Sequence, residues 1–395
     1  MGSKSRIAIV GGGLVGSTAA LALARCGFAV TLFDRKRPKV SQGLLGLDIR
    51  NVALSQASQS LLADNGIWSK INAAPYSQMH VWEQWGTASL HFDAAEVGCQ
   101  ELGWLVEMSP LLCRAWQCMN VAANLDVVVG NIEGVEISDV GVSVMTGTSE
   151  LGTGEPRVFD FLIAADGAHS IAQRALQLPI DTQPTGQVAL ATVVRTSASH
   201  KQTAWQRFLN DGPLAFLPSP DEHVSSIVWS QSEAQAQRRA ALPDADFCDE
   251  IGQAFEHRLG DVLEVDQRIC FALTQQRVKD CAPHTRVLLI GDALRVVHPL
   301  AGQGVNLGLE DVTCLLRVAT AHKELSMPGI WRRFARQRQT RARLMIQTMS
   351  ALQKFYGSAN PAVSLLRNIG VQSFNTLDAL KHQVMREAMG LNRLK

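Results

Sequence analysis

The pattern of apolar and polar residues at the amino terminus predicts a strand, a turn and a helix. RIAIV, at residues 6–10, is a short apolar run that breaks into GGGLVG, and STAALALARCG then has the small and apolar content of a buried helix. FAVTLFD follows as a second apolar run and ends at Asp34. Because a crossover helix joins parallel strands, this segment is predicted to be a βαβ unit.

Two later apolar runs also end in a turn that carries an acid. FDFLIAADG places Asp166 after its apolar residues, and RVLLIGD places Asp292 in the same way. Between these runs, SSIVWS and ICFAL are candidate strands separated by polar and proline-containing turns. The pattern predicts an α/β protein with a discontinuous Rossmann-like dinucleotide-binding domain, an inserted sheet-rich substrate domain and a helical C-terminal region.

The domain boundaries follow from where these patterns change. We expect the dinucleotide-binding domain at 1–75, 100–180 and 285–330, the substrate-binding β-sheet domain at 76–99 and 181–284, and the helical region at 331–395.

Composition is that of an ordinary globular protein, with 46% hydrophobic and 18% charged residues. No uninterrupted apolar run reaches the roughly 18 to 20 residues that a membrane-spanning helix needs. The apolar stretch after Lys4 and Arg6 runs at once into glycine-rich sequence, which is unlike a signal peptide. We therefore expect a cytoplasmic protein, either soluble or peripheral at the inner face of the membrane.

Charge and cysteine content narrow the classes of function. The formal net charge is +1, but residues 331–395 hold twelve lysines and arginines against Asp378 and Glu387 alone. The eight cysteines include no C-x-x-C pair, and Cys113 and Cys118 lack metal-ligand neighbours at a useful spacing. We expect free buried thiols in a reducing compartment, no metal site and no nucleic-acid partner.

The first glycine-rich turn has the chemistry of a dinucleotide site. Gly11, Gly13 and Gly16 satisfy G-x-G-x-x-G, which allows a tight turn, close approach of a pyrophosphate and close helix packing. Asp34 lies 21 residues beyond Gly13, where a carboxylate can accept hydrogen bonds from an adenosine ribose. The alternative is a glycine turn beside a surface aspartate. The motif alone does not distinguish NAD from FAD.

Longer motifs resemble one family over nearly the whole chain. They are GGGLVG, DIRNVALSQAS, VWEQWGTASLHFD, ADGAHS, LAFLPSPDEHVSSIVWS, HPLAGQGVNLGLEDV and the tail from NPAVSLLRNIG to REAMGLN. With these motifs the chain resembles the group A flavoprotein monooxygenases and, within them, the ubiquinone-biosynthesis hydroxylases of the UbiI, UbiF and UbiH group. The tail and the SSIVWS region look most like the member that hydroxylates ring position C5.

The resemblance implies bound FAD, with NADH or NADPH as reductant, and a role for each matching residue. The ADP part of FAD would be contacted by Gly11, Gly13, Gly16, Asp34, Arg35 and Arg50. Asp292 would contact the ribityl and pyrophosphate region, Asp166 would support FAD and nicotinamide binding, and the flavin ring would meet Gly302, Gln303, Gly304, Val305 and Asn306. A turn-capping acid at Asp292 and a solvated surface charge at Arg50 are the alternative interpretations.

The chemistry implied by the resemblance is ring hydroxylation. Hydride reduces FAD, oxygen adds at flavin C4a, and the distal oxygen of the hydroperoxide is transferred to an electron-rich ring carbon. Pro299 and Leu300 would form the flavin-side wall of an apolar pocket as positioning residues. His298 is a candidate proton donor, or equally a turn histidine that makes one backbone hydrogen bond. Because Tyr76 and Tyr356 are the only tyrosines, the chain has few residues for a paired-tyrosine relay that would deprotonate a small phenol.

Three positions depart from the family pattern. Leu294 and Arg295 stand where Ala and His are usual, Arg174 is displaced by one position with Gln173 in its usual place, and Met108 replaces a common Asn. These changes are either neutral or signs of impaired turnover. Three functions therefore stay open: hydroxylation of a polyprenylated phenol in ubiquinone biosynthesis, an FAD-containing non-catalytic assembly component of the biosynthetic complex, and hydroxylation of a soluble aromatic.

A basic helix near the carboxyl end has two interpretations. Apolar residues recur there at helical spacing beside positive charges, at Leu344, Met345, Met349, Leu352, Phe355 and at Arg341, Arg343, Lys354. Such a helix packs against the body of the protein or contacts an anionic surface. Our hypothesis is that its basic face meets membrane lipid or a lipid-carrying biosynthetic partner and helps a polyprenyl phenol to enter.

Overall fold

The computed structural model describes residues 4–84, 89–147, 156–297, 303–356 and 377–391. The helices are α1 Leu14–Arg25, α2 Gln56–Asp64, α3 Met108–Asn120, α4 Ile171–Ala175, α5 Glu233–Ala240, α6 Asp244–Ala254, α7 Gln303–Ala321, α8 Arg332–Tyr356 and α9 Asp378–Ala388. The strands are β1 Arg6–Val10, β2 Ala29–Asp34, β3 Asn51–Leu54, β4 Ala73–Tyr76, β5 Gln78–Glu83, β6 Leu90–Asp93, β7 Gly103–Glu107, β8 Leu125–Val129, β9 Ile132–Ile137, β10 Val142–Thr146, β11 Arg157–Phe159, β12 Phe161–Ala164, β13 Ile180–Thr196, β14 Thr203–Leu209, β15 Gly212–Pro218, β16 Val224–Ser232, β17 Val262–Val265, β18 Ile269–Val278, β19 Val287–Leu289 and β20 Arg295–Val296.

A parallel sheet forms the first layer. Its strand order is β19-β12-β1-β2-β8, and every neighbouring pair is parallel. The predicted strand-turn-helix-strand unit is confirmed, because β1, α1 and β2 follow one another and α1 is buried along most of its length. Asp34 ends β2, Asp166 comes two residues after β12, and Asp292 comes three residues after β19. All three acids therefore reach the carboxyl edge of one parallel sheet, where α/β proteins bind ligands.

A second, larger sheet of nine strands supplies a broad flat face. Its order is β20-β18-β13-β16-β15-β14-β5-β6, with β17 paired to β13. The candidate strands SSIVWS and ICFAL lie in β16 and β18, as predicted. Two helices in this part, α5 and α6, were not predicted from the sequence. Phe247, Ile251 and Phe255 of the α6 region pack with Leu214 and Trp229 under one face of the sheet.

The C-terminal part is helical in its described residues. Helix α9 packs Met385 and Met389 against Val97 and Leu102. The Ala57 amide donates to the Met389 carbonyl at 3.2 Å, which joins the end of α9 to α2. No helix among the described residues is long and apolar enough to span a bilayer.

The cysteines are all unpaired, but the expectation of buried thiols is wrong for most of them. Only Cys248 and Cys281 are buried, and Cys270 is exposed on a strand of the large sheet. The first four residues of β18, from Ile269 to Ala272, are all exposed, so Cys270 lies at an open end of the strand.

Candidate functional site

The first glycine turn is built by close packing. Gly11 has φ +102°, and a Cβ there would lie 2.4 Å from the Ala165 carbonyl oxygen. A Cβ on Gly16 would lie 1.9 Å from the Gly11 carbonyl oxygen. In contrast, a Cβ on Gly13 would meet no atom of the described residues within 4 Å. Gly13 therefore faces open space at the amino terminus of α1, where free backbone N–H groups attract phosphate.

Asp34 and a tryptophan hold this turn in place. The Gly12 amide donates to Asp34 Oδ2 at 2.6 Å, and Trp116 Nε1 donates to the Gly12 carbonyl at 2.9 Å. Trp116 lies on α3 and is buried. No spacing in the sequence connects it to the glycine motif, so sequence reasoning missed it. Because the Asp34 carboxylate has further acceptor sites, it is able to accept hydrogen bonds from ribose hydroxyls as well as from the Gly12 amide.

Asp166 has a buried oxygen that lacks a partner. Its Oδ2 accepts a hydrogen bond from the Ile171 amide at 2.7 Å, whereas Oδ1 has no hydrogen-bond partner among the described residues. Burial raises the pKa of this carboxyl group above its usual range. Buried acceptors are nearly always satisfied in proteins, so the free oxygen fits a bound ligand that donates a hydrogen bond.

Asp292 lies in a 3₁₀ turn at the end of β19. Solvent reaches its side chain, but protein surrounds the group on most sides, and this desolvation raises the pKa of the carboxyl group. The preceding Gly291 amide donates to Asp311 Oδ2 on α7 at 2.9 Å. The turn is therefore fixed to α7 while the Asp292 carboxylate stays open.

Val15 brings three parts of the site together. A Cβ on Gly291 would lie 3.3 Å from the Val15 side chain, and one on Gly308 would lie 2.5 Å from it. The amino terminus of α1, the Asp292 turn and the first turns of α7 therefore meet at one place. A Cβ on Gly304 would meet no atom of the described residues within 4 Å, so the start of α7 is also open on that side among them. These cradles fit FAD, whose pyrophosphate and flavin both suit helix amino termini.

Asn306 has a structural task that the sequence did not indicate. Its Oδ1 accepts hydrogen bonds from the Ser55 amide at 3.0 Å and the Ser58 hydroxyl at 2.7 Å, and its Nδ2 donates to the Ala53 carbonyl at 2.8 Å. The side chain thus fixes α7 to the junction of β3 and α2. Contact with a flavin would use the backbone N–H groups of this first helical turn, which lack intrahelical partners.

The remaining predicted site residues are two exposed arginines, two residues of the first turn of α7, and four residues outside the described part of the chain. Arg35 and Arg50 are exposed, and Arg50 Nε lies 3.7 Å from Asp48 Oδ1. Gln303 begins α7, and Val305 follows in its first turn; the helix was expected to start near Asn306. Four predicted residues lie outside the described residues: His298, Pro299, Leu300 and Gly302.

Two of the residues that depart from the family pattern, Gln173 and Arg295, are buried and bonded within the protein. Arg295 Nη2 lies 2.9 Å from Asp311 Oδ1, and Arg338 contacts the same carboxylate, which is fully buried. Burial alone would raise the pKa of Asp311, but the two guanidinium groups hold it below its usual range. Gln173 donates to the Ala293 carbonyl at 2.6 Å. Arg295 is therefore ion-paired inside the protein, while its Nε and Nη1 are buried without a hydrogen-bond partner among the described residues.

A large apolar cavity lies beside the start of α7. Its volume is about 380 Å³. It lies between one face of the large sheet, the β3–α2 junction and α9, and its lining includes Ala53, Leu105, Leu217, Val228, Met385 and Met389. Asn306 and Ser55 are buried at one part of the lining, whereas Phe271 and Val384 are each 44% exposed at another. The cavity therefore opens to solvent near Phe271 and Val384 and reaches inward to Asn306.

At Arg341 the C-terminal helix follows the first of its two interpretations and packs against the body of the protein. This side chain is only 15% exposed, and its Nη1 lies 2.8 Å from Glu387 Oε1 on α9. Arg341 thus joins α8 to α9 instead of facing a membrane, while Arg343 is exposed. The apolar side chains from Leu344 to Phe355 and that of Lys354 lie outside the described side chains.

Comparison with known proteins agrees with this site. Residues 4–348 match the family described as FAD binding domain. The chain is 33% identical to 3-demethoxyubiquinol 3-hydroxylase of Escherichia coli, covering 98% of this chain and 99% of that protein. It is 30% identical to the ubiquinone hydroxylase UbiL of Rhodospirillum rubrum, covering 100% of this chain and 92% of that protein.

Solved structures share the fold at lower identity. The p-nitrophenol 4-monooxygenase PnpA of Pseudomonas putida DLL-E4 superposes with a TM-score of 0.78 at 17% identity, covering 98% of this chain and 99% of that one. The FAD complex of a variant of Klebsiella pneumoniae HpxO gives a TM-score of 0.73 at 15% identity, covering 99% of this chain and 100% of that one. The chain thus belongs to the FAD-dependent monooxygenases of ubiquinone biosynthesis, ring hydroxylases that use FAD and NAD(P)H.

Proposed function

We propose that the substrate of this monooxygenase is a polyprenylated phenol on the route to ubiquinone. The observation that carries the proposal is the apolar cavity of about 380 Å³ that runs from Asn306 to the opening at Val384. A cavity of roughly 150 Å³ is enough for benzene. The space therefore holds an aromatic ring and part of an apolar tail, whereas a small soluble aromatic would leave most of it unfilled.

FAD, when bound, supplies hydride acceptance from NAD(P)H and activation of O₂. The chain's own contribution is to bind, orient and keep the reacting ring dry. We propose that Gly13 and the α1 amino terminus hold the pyrophosphate, that Asp34 and Asp292 hold sugar hydroxyls, and that the first turn of α7 meets the flavin. The apolar lining excludes water from the site. This exclusion prevents activated oxygen from being lost as hydrogen peroxide before it reacts with the ring.

We further propose C5 as the ring position, on the likeness of the tail and the SSIVWS region to the family member with that specificity. The E. coli relative carries a different specificity in its name, 3-hydroxylation of a demethoxyubiquinol, and it matches 98% of the chain. That second candidate therefore has to be tested beside the first.

The opening of the cavity carries an apolar rim, which we define as Ile269, Phe271, Leu377, Leu380 and Val384. These side chains are between 43% and 54% exposed. Leu377, Leu380 and Val384 share one face of α9 by their spacing, and Ile269 and Phe271 share one face of β18. Grouped apolar side chains at the mouth of an apolar cavity favour contact with a membrane. We propose that a polyprenyl chain enters from lipid at this rim.

One of the three residues that motivated the assembly role has a structural partner. Leu294, Arg295 and the displaced Arg174 suggested that role, and the charge of Arg295 is paired with Asp311 inside the protein. Gly11, Gly13, Gly16 and the three sheet-edge acids are all in place.

A turnover assay tests the proposed substrate. Purified protein with FAD and NAD(P)H is given a prenylated phenol, its unprenylated counterpart and a demethoxyubiquinol under air, and products are mapped by mass spectrometry and NMR. We expect the prenylated phenol to gain one oxygen at C5. Exclusive turnover of the demethoxyubiquinol would replace C5 by the second candidate, and exclusive turnover of the unprenylated phenol would reject the proposal.

Vesicle sedimentation tests the rim. The double variant Leu380→Asp with Val384→Asp is compared with Leu44→Asp, since Leu44 is 86% exposed and lies outside the rim. We expect wild type and Leu44→Asp to sediment with phospholipid vesicles and the double variant to stay in the supernatant. Equal sedimentation of all three would rule out membrane contact at the rim.

A further inference from the structure

Gln206 presents a carboxamide to an otherwise largely apolar face of the cavity. It lies in the middle of β14, where it pairs with Ala215 of β15, and it lines the cavity together with Ala204. Its side chain is only 8% exposed. The residues beside it on this face, Ala215 and Val228, bring no polar side-chain group.

The other two carboxamides of the cavity are already used by the protein. Asn51 Nδ2 donates to the Asp48 carbonyl at 2.6 Å and lies 3.3 Å from Ser226 Oγ. Asn306 is bonded through both its oxygen and its nitrogen. Gln206, in contrast, has no side-chain hydrogen-bond partner in the described part of the chain, and its polar atoms are not among those sealed from solvent. Its amide is therefore open to whatever occupies the cavity.

The register of the sheet relates the position of Gln206 to that of Ser226, which lies near the inner end of the cavity. Ser226, which contacts Asn51 near the inner end, pairs with Leu217 of β15. Ala215, the partner of Gln206, is two residues further along the same strand. Two residues of a strand span about 6.8 Å. Gln206 thus lies one side-chain row along the strands and two strands across from Ser226, in the row that reaches the rim residue Ile269 four strands away. A ring bound between Asn51 and this row would lie beside the Gln206 carboxamide.

We propose that Gln206 is the residue that orients the substrate ring, by a hydrogen bond between its carboxamide and a ring hydroxyl. This assignment rests on the proposed function for the nature of the ligand. A carboxamide suits the task because Oε1 accepts from a phenol and Nε2 donates to a ring oxygen. A buried amide that is satisfied only by the correct ring also rejects ligands that lack the oxygen.

The test is a cycle of two ligands and two proteins. FAD-loaded wild type and Gln206→Met, which keeps the side-chain length and removes the amide, are titrated with a short-chain prenylated phenol and with the matching prenylbenzene. Leu217→Met is the control, because it changes a lining residue on the neighbouring strand without changing polarity. Flavin content and the thermal midpoint are measured for each protein to show that the fold is kept.

We expect wild type and Leu217→Met to prefer the phenol by about tenfold in Kd, and Gln206→Met to have lost that preference. A tenfold preference retained by Gln206→Met, or absent from wild type, would overturn the assignment. Turnover is measured in parallel. If wild type forms product but Gln206→Met still prefers the phenol over the prenylbenzene, the role of Gln206 is rejected and the proposed function stands. If the preference depends on Gln206 but no product forms, the proposed function is rejected and the role of Gln206 in binding stands.

Discussion

Substitutions at two glycines of one motif, Gly13 and Gly16, distinguish an effect on the proposed pyrophosphate site from an effect on folding. A methyl group at Gly13 would meet no atom within 4 Å in the part of the chain that the structure describes, and the backbone φ of −66° there suits alanine. Gly13→Ala should change the free energy of unfolding of the apoprotein by no more than about 1 kcal/mol. At Gly16 the methyl group would lie 1.9 Å from the Gly11 carbonyl oxygen, so α1 must move. Gly16→Ala should destabilise the apoprotein by about 3 kcal/mol or more.

The affinity for FAD should respond differently from the stability. Gly13→Ala should keep its fold but bind FAD more weakly. The Gly13→Ala methyl group fills the open space where we place the pyrophosphate, so FAD affinity should fall about tenfold or more, equivalent to about 1.4 kcal/mol. Denaturant unfolding of the apoproteins gives stability, and quenching of flavin fluorescence gives the Kd. A Gly13→Ala protein with wild-type stability and wild-type FAD affinity would refute the placement of the pyrophosphate at this turn.

Three further changes test the surrounding structure. Asp311→Asn should cost about 3–5 kcal/mol at neutral pH, because it leaves the buried Arg295 guanidinium without a carboxylate partner and leaves Arg338 paired with Glu310 alone. Since the pKa of Asp311 is lowered by folding, this stabilisation is lost as the pH falls through the folded pKa, and the gap between variant and wild type in urea titrations should close in acid. Lys381→Met removes the 2.8 Å ion pair between α9 and Glu96, so limited proteolysis near α9 should speed up while flavin content stays constant; unchanged cleavage would contradict this. A thiol reagent at pH 8 should label Cys270 and leave Cys281 unlabelled, because burial raises the pKa of the Cys281 thiol to about 12. Labelled Cys281 in the native protein, detected by mass mapping, would contradict its burial.

The sequence predicted those parts of the fold that depend on short-range patterns. The glycine turn, α1 and β2 follow from 29 contiguous residues, 6–34, whose apolar pattern and glycine spacing fix both elements and their order. The three acids at the sheet edge were also predicted, because an acid just after a buried parallel strand must lie at its carboxyl end.

Contacts between distant residues could not be predicted in the same way. Trp116 reaches the Gly12 carbonyl across 104 positions of the chain, and Arg338 meets Asp311 across 27. Neither spacing belongs to a motif. The same reason left both interpretations open at Arg341: helical spacing gives the faces of a helix, but whether a charged face meets solvent or Glu387 depends on where α9 packs.

The most direct test of ring hydroxylation by this protein is aerobic turnover of the purified flavoprotein with NAD(P)H and a prenylated phenol in ¹⁸O₂, with the product analysed by mass spectrometry. We expect a visible flavin spectrum, bleaching by NAD(P)H without oxygen, and a product that has gained one labelled oxygen on its ring. A protein that holds FAD and oxidises NAD(P)H but releases only hydrogen peroxide with every prenylated phenol would contradict ring hydroxylation of this substrate.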